Sequence, residues 1–238
     1  MAAMRKIVHR ADTRKIQDKG WMRTACSFHA DMPTPDQQHF GTLVAINETI
    51  MQAGSRGLGM HSHSNVELLS LVLNGTLGHE DSAGNRTAFS TGQMQLISCG
   101  TGILHNEFNY SETEPLSLLQ LWISPATYNI MPRYHQLLPA LNLHNQLQVV
   151  AAPVVAKNRL RINQESYIAL GHFDRDTKID YALRRAINGV YFFLLDGQVH
   201  IAEEVLYPRD AIGLYQFQTT KIHALEKSEL LAIQVPLA

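Results

Sequence analysis

The sequence predicts an all-β protein made of two similar β-barrel units in tandem. Three observations support this prediction. Apolar runs are short and are separated by turn residues, helical periodicity is scarce, and the strand pattern of the first half recurs in the second half.

The first half contains a series of strand-like apolar runs. Residues 40–50 alternate loosely and precede several glycines. Residues 68–73 end at Asn74-Gly75, a strong hairpin signal, and residues 93–98 are closed by further glycines. Residues 116–124 end before Pro125. Such spacing is typical of antiparallel sheets.

A change in composition marks the predicted domain boundary. Residues 125–139 hold three prolines and several polar side chains, so we place the boundary near residue 135, with domains at 1–135 and 136–238. When Gly75 is aligned with Gly197, residues 67–74 (ELLSLVLN) match residues 189–196 (GVYFFLLD). The alignment predicts an internal repeat.

Composition and charge exclude several classes of protein. The 238 residues carry 20 basic and 21 acidic side chains, a formal net charge of -1, so direct nucleic-acid binding is not expected. The basic N-terminal segment has no apolar core of a signal peptide, and no apolar run is long enough to span a membrane. Cys26 and Cys99 belong to no paired motif, which predicts two free thiols and a cytoplasmic location.

Four residues form a candidate metal site. Residues two apart in a strand face the same side, so His61 and His63 share one face, and His105 and Glu107 share another. If the two strands are adjacent, three imidazoles and one carboxylate converge. This donor set suits one divalent transition metal per chain, such as iron, manganese, nickel, copper or zinc.

The same segments resemble the pirin family of cupins. The resemblance rests on His61-Ser-His63 with Glu67 and Gly75, on Gly92, and on the segment from Gly100 to Asn109. It continues in the following segments: Gly20-Trp21, Ser27-Phe28-His29, Phe40-Gly41 and His79-Glu-Asp-Ser82-x-Gly84-Asn85.

Membership of that family implies a bicupin, with two tandem cupin-type jelly-roll barrels and a metal, most often iron, in the N-terminal one. Its ligands would fall on His61, His63, His105 and Glu107. The chain departs from the family pattern at Ser62, at Ser64-Asn65 and at Asn106, all beside the ligands.

Glu67 is an alternative ligand, because an unbroken strand would place it on the face of His61 and His63; otherwise it would hydrogen-bond a ligand imidazole. In the second unit, counting from the aligned turns matches the four ligands as follows: His61 to Leu183, His63 to Arg185, His105 to His223, and Glu107 to Leu225. We therefore expect the C-terminal barrel to lack metal.

The resemblance implies two functions. One is a quercetin 2,3-dioxygenase, which opens a flavonol with O₂ and releases CO, with Glu107 as the base that takes the 3-hydroxyl proton. The alternative is a regulator without catalytic activity that binds a protein partner according to its metal or redox state. A cupin isomerase or a storage protein with a vestigial site is a third class.

Overall fold

The computed structural model describes residues 4–28, 34–137 and 144–237, so His29 lies outside the described residues. Two short helices are present in this part of the chain, a 3-10 turn at Ala11–Thr13 and α1 at Pro35–Gln38. None of the described helices has the length and apolar character needed to cross a membrane.

The remaining ordered elements are strands. Those of the N-terminal half are β1 (Arg5–His9), β2 (Lys15–Asp18), β3 (Met22–Cys26), β4 (Leu43–Met51), β5 (His61–His63), β6 (Glu67–Asn74), β7 (Thr76–Asp81), β8 (Arg86–Ser90), β9 (Met94–Ser98), β10 (Ile103–Asn109), β11 (Leu116–Ile123) and β12 (Arg133–Leu137). Those of the C-terminal half are β13 (Gln148–Ala152), β14 (Leu160–Arg161), β15 (Tyr167–Phe173), β16 (Lys178–Ala182), β17 (Asn188–Asp196), β18 (Val199–Ile201), β19 (Glu204–Leu206), β20 (Ala211–Tyr215), β21 (Thr219–Ala224) and β22 (Ser228–Pro236).

The strands form two barrels whose central strands follow the same order. The first combines a seven-stranded sheet, β12-β9-β6-β11-β4-β3-β2, with a four-stranded sheet, β5-β10-β7-β8. The second combines β1-β20-β17-β22-β15-β13-β14 with β16-β21-β18-β19. The prediction of an all-β protein with two tandem barrels is confirmed.

The edge strands of the large sheets connect the two halves of the chain. Strand β1 pairs antiparallel with β20 of the second barrel, where it occupies the position that β12 occupies beside β9 in the first. Strand β1, from the N-terminus of the chain, therefore completes the large sheet of the second barrel. The domain boundary near residue 135 stays a prediction.

A shared hydrophobic core lies between the two seven-stranded sheets. Alternate residues of β6 and β11, such as Leu69 and Leu121, pack in the same cluster as Tyr191, Phe193 and Ile233 of the second barrel. The other face of each large sheet lines the interior of its own barrel, as the period of two along a strand requires.

The two barrel interiors differ in chemistry. In the second, one continuous apolar cluster runs from Phe173 through Phe192 to Leu206. In the first, one apolar cluster contains Val72 and a separate one contains Leu68. Buried polar side chains lie between these two clusters, and they build the site described below.

The pairing registers correct the alignment made from sequence. Leu77 and Val199 each follow their aligned glycine by two residues, and their partners are Asn109 and Ala224. Counting back along β10 and β21 places Thr220, and not His223, at the position of His105. The chain connecting β20 to β21 is shorter than the one connecting β9 to β10, which accounts for part of this difference.

By the same register, Glu107 corresponds to Ile222. Strand β16 pairs with β21 as β5 pairs with β10, which matches His61 to Tyr181 and His63 to Leu183.

An ion-pair network also joins the barrels. The carboxylate of Glu48 on β4 forms ion pairs with Arg14 Nη1 at 2.9 Å and with Arg209 Nη2 at 2.7 Å. The side chains of Arg14 and Glu48 are only 4% and 13% exposed. Burial alone would raise the pKa of Glu48, but the hydrogen bonds and charges of the two arginines outweigh it, and the pKa lies below its ordinary value of 4.5. The ion pairs of Glu48 therefore stabilise the folded protein above the ordinary carboxyl pKa of 4.5, and this stabilisation is lost as the pH falls below that value.

We expect Glu48→Ala to lower the free energy of unfolding by about 3 kcal/mol at pH 7, because the buried Arg14 then has no counter-ion. Denaturant unfolding measures the change. The control is Arg86→Ala, which removes an exposed ion pair with Glu80 and should cost less than about 1 kcal/mol. Equal losses in the two variants would contradict the role of the network.

Candidate metal centre

Three histidines converge where β5 pairs with β10. The register places His61 directly opposite His105, and His63 lies two residues along the same strand. The ring centroids are 5.0 Å apart for His61 and His63, 4.5 Å for His61 and His105, and 5.0 Å for His63 and His105. One donor atom from each ring lies within 4.8 Å of the other two.

The environment keeps these imidazoles suited to binding a metal. His61 Nδ1 donates to the carbonyl oxygen of Gly59 at 2.9 Å, which in the neutral ring leaves Nε2 with a free lone pair. Burial lowers the pKa of His105 to about 3, and burial followed by the charge of His61 lowers the pKa of His63. Since metal ligation needs neutral imidazole, these shifts favour it.

His105 provides a test of whether the site fits a metal. Its side chain is buried, and neither ring nitrogen has a hydrogen-bond partner among the described residues. A buried imidazole without any partner is costly unless another group binds it. A transition metal between the three rings would satisfy one of these nitrogens, so the residues fit the cofactor.

Glu107 lies further inside the barrel. Its Oε1 accepts hydrogen bonds from Ser70 Oγ at 3.2 Å and from Gln95 Nε2, and its Oε2 accepts one from Gln120 Nε2. Burial raises the pKa of Glu107 to about 7, although these hydrogen bonds oppose the shift. The carboxyl group is therefore oriented by three side chains and is close to its midpoint of ionisation at neutral pH.

The structure divides the predicted ligand set into a cluster and a neighbour. His61, His63 and His105 form one group of donors within 4.8 Å, whereas Glu107 forms a second such group with His105 and His79. All four predicted ligands line the same cavity. Both oxygens of Glu107 already accept hydrogen bonds, and its role as a metal ligand stays a prediction.

His79 is a site residue that the sequence reasoning missed. It is fully buried opposite Glu107 on β7, its Nε2 lies 3.1 Å from Asp81 Oδ2, and its ring stacks on Tyr134 with centroids 4.6 Å apart. Burial lowers its pKa although Asp81 opposes the shift. A signal was available, since His79 and Asp81 are two residues apart in a strand that follows a hairpin turn.

The three donors to Glu107 were also missed. Ser70, Gln95 and Gln120 are polar residues, each with an apolar neighbour on both sides in the same strand. All are buried or partly buried, and each faces the barrel interior, where a polar group needs a partner. An isolated polar residue on the inward face of a strand is the signal that could have identified them.

Glu67 lies on the other side of the sheet. Its carboxylate accepts hydrogen bonds from Ser98 Oγ at 2.8 Å and from the backbone N–H of Asn163 at 3.0 Å, in the second barrel. The strand breaks between His63 and Glu67, where Asn65 has a φ of 51°. The premise of an unbroken strand was wrong, and no donor group with the three histidines includes Glu67 among the described residues.

A cavity of about 460 Å³ adjoins the histidines. It is lined by the four predicted ligands and by apolar side chains from β3 and the residues just after it, and from β4, β6 and β11. These include Met22, Phe28, Val44, Leu68, Leu118 and Trp122. The departures from the family pattern lie outside this lining: Ser62 and Ser64 are exposed, and Asn106 donates to the carbonyl oxygen of Arg56 at 3.2 Å.

Comparisons with known proteins identify the family of the chain. A family model described as Pirin matches residues 9–123, and one described as Quercetinase C-terminal cupin domain matches residues 149–235. The chain is 31% identical over 230 residues to the quercetin 2,3-dioxygenase of Escherichia coli K12, covering 96% of this chain and 98% of the relative.

Solved structures give the same result. The crystal structure of YhhW from Escherichia coli has a TM-score of 0.93 at 31% identity and covers 98% of this chain and 99% of that one. The structure of bacterial pirin YhhW in complex with nickel(II) has a TM-score of 0.91 at 30% identity, with coverage of 98% and 100%. Similarity over the whole length, together with the bicupin fold, shows that this chain belongs to the pirin family.

Proposed function

We propose that this protein is a metal-dependent dioxygenase that opens flavonols such as quercetin with O₂ and releases CO. The observation that carries the proposal is the convergence of three imidazoles on one wall of a cavity that also contains a buried carboxyl group. The similarity to a quercetin 2,3-dioxygenase over nearly the whole chain supports the choice of substrate.

His61, His63 and His105 would hold one metal ion, with Glu107 as the proposed fourth ligand. Iron is the metal that we propose, and nickel is the ion in the related bacterial pirin. When bound, such a metal supplies Lewis-acid and one-electron chemistry that allows a deprotonated enol to react with O₂.

The cavity would bind and orient the flavonol. Its volume of about 460 Å³ lies within the range of small-molecule sites, and its walls are mostly apolar. The Trp122 ring meets His63 edge to face at 4.8 Å and would exclude water from one side of the imidazole cluster. Flat aromatic rings of a substrate match such walls.

Glu107 would act as the base that removes the 3-hydroxyl proton of the flavonol. A general base is most effective when its pKa is near the working pH, because it is then both deprotonated and able to accept a proton. Burial raises the pKa of the Glu107 carboxyl to about 7, which is in this range. To take the proton, Oε2 would give up its hydrogen bond from Gln120, while Ser70 and Gln95 would hold Oε1 in place. The overall reaction consumes one O₂ per flavonol and yields CO and a depside.

A cytoplasmic location belongs to the same proposal, and it is supported by the two buried free thiols, Cys26 and Cys99. The alternative role as a regulator without catalytic activity is tested by the experiments below.

Elemental analysis should find one transition metal per chain. We expect His63→Ala to lower the metal content at least about tenfold, because loss of an imidazole removes one bond and admits water. His223→Ala is the matched control in the second barrel and should retain the metal. An equal loss in the two variants, or two metals per chain, would contradict a single N-terminal site.

The iron-loaded protein should consume O₂ with quercetin and release CO, with loss of the flavonol absorption band. Glu107→Gln should lower kcat at least about 100-fold, because general base catalysis contributes about that much and the amide cannot accept the proton. The exposed Glu226→Gln variant is the control for an unrelated change of charge.

Metal content must be measured in the same Glu107→Gln samples, so that loss of the base is separated from loss of the metal. If the iron-loaded wild type leaves quercetin unchanged, the dioxygenase proposal fails. Capture of a protein partner by the iron-loaded but not the metal-free form would then favour the regulator.

A further inference from the structure

The C-terminal barrel has its own cavity. It measures about 510 Å³ and is lined from β13, β15 and β16, which correspond to β3, β4 and β5 around the metal cavity. The second cavity therefore occupies the same place in its barrel as the proposed catalytic cavity does in the first.

The side chains of the second barrel at the positions equivalent to the metal centre differ from those of the first. Tyr181 stands at the position of His61, and Ile222 at that of Glu107. At the positions of Ser70 and Gln120 the second barrel has Phe192 and Ala232. Because these side chains bring no metal donor except a phenol, a ligand there would be held by apolar and aromatic contacts.

The walls are apolar and aromatic. Leu147, Val149, Ile179 and Leu183 line the cavity and pack against the interior cluster of the barrel. Tyr181 contributes its ring, which meets Phe192 edge to face at 5.0 Å. Such a lining favours a flat apolar molecule.

One cation stands at the edge of the cavity. The Arg184 guanidinium lies 5.2 Å from the centroid of the Tyr167 ring, and both residues line the cavity. Arg184 is exposed, and within the described residues its side chain makes no ion pair. Asp180 is the acidic residue of the lining, and it is exposed on the alternate face of β16 from Ile179 and Tyr181. The guanidinium is thus available to an anion.

The buried amide of Gln234 lies next to two residues that line the cavity, Tyr181 and Arg184. The Tyr181 hydroxyl and the Arg184 backbone N–H both donate to Gln234 Oε1 at 3.1 Å. Gln234 is fully buried, and its Nε2 has no partner among the described residues. An unmet buried donor beside a cavity is expected where a water or a ligand oxygen completes the hydrogen bonding.

We propose that the C-terminal barrel contains a metal-free binding site for a planar aromatic carboxylate. The ring system lies between the apolar walls and the Tyr181 ring, and the carboxylate pairs with the Arg184 guanidinium, which Tyr167 holds from its other side. This site is separate from the metal centre and does not depend on the proposed dioxygenase activity.

The test uses 2-naphthoate as the probe, titrated by calorimetry into the full-length, metal-loaded protein. We expect saturable binding of one naphthoate per chain, weakened at least about tenfold in Arg184→Gln, because a charge-assisted hydrogen bond is lost. Arg185→Gln is the matched control, since the neighbouring Arg185 pairs with Glu165 outside the cavity. It should bind as the wild type does.

Two further measurements separate this site from the metal centre. Ala169→Leu, which fills the cavity from β15, should weaken binding without lowering the metal content, and removal of the metal from the wild type should leave binding unchanged. The proposal is overturned if naphthoate does not saturate the protein, if Arg184→Gln and Arg185→Gln behave alike, or if binding disappears with the metal.

Discussion

The buried carboxyl group of Glu107 is the constraint on which the N-terminal barrel depends. A carboxyl group inside a barrel is expensive unless it is hydrogen-bonded. Ser70, Gln95 and Gln120 meet that requirement from three neighbouring strands of one sheet, while Glu107 itself belongs to the opposite sheet. These contacts join the two sheets through polar side chains and divide the apolar interior into two clusters.

The second barrel shows what the same topology does without this constraint. Its interior is one continuous apolar cluster, and the positions of the polar side chains are taken by residues such as Phe192 and Ile222. An apolar cluster of this kind gains hydrophobic free energy, and its members need no hydrogen-bond partners. The comparison indicates that the first barrel gives up part of that stabilisation to keep a polar site, and the second supports the assembly.

That support is built into the chain topology. The large sheets pack face to face, and β1 extends the second sheet. The carboxylate of Glu67 accepts a hydrogen bond from the backbone N–H of Asn163 across the interface. Glu48 adds ion pairs to Arg14 and Arg209. The sheet that carries Ser70, Gln95 and Gln120 also forms the interface, so the second barrel packs against the sheet that supplies the hydrogen bonds to Glu107.

The sequence by itself determined the strands, the two-barrel repeat and the side-chain faces within each strand. These features are local: turn residues end strands, and the period of two places His61 beside His63 and His105 beside Glu107. Pairing between strands distant in sequence was decided only in the tertiary structure. It brought His79 opposite Glu107, placed Thr220 at the position of His105, and turned Glu67 toward the second barrel. Strand breaks and connection lengths set that register, and no periodicity within one strand encodes them.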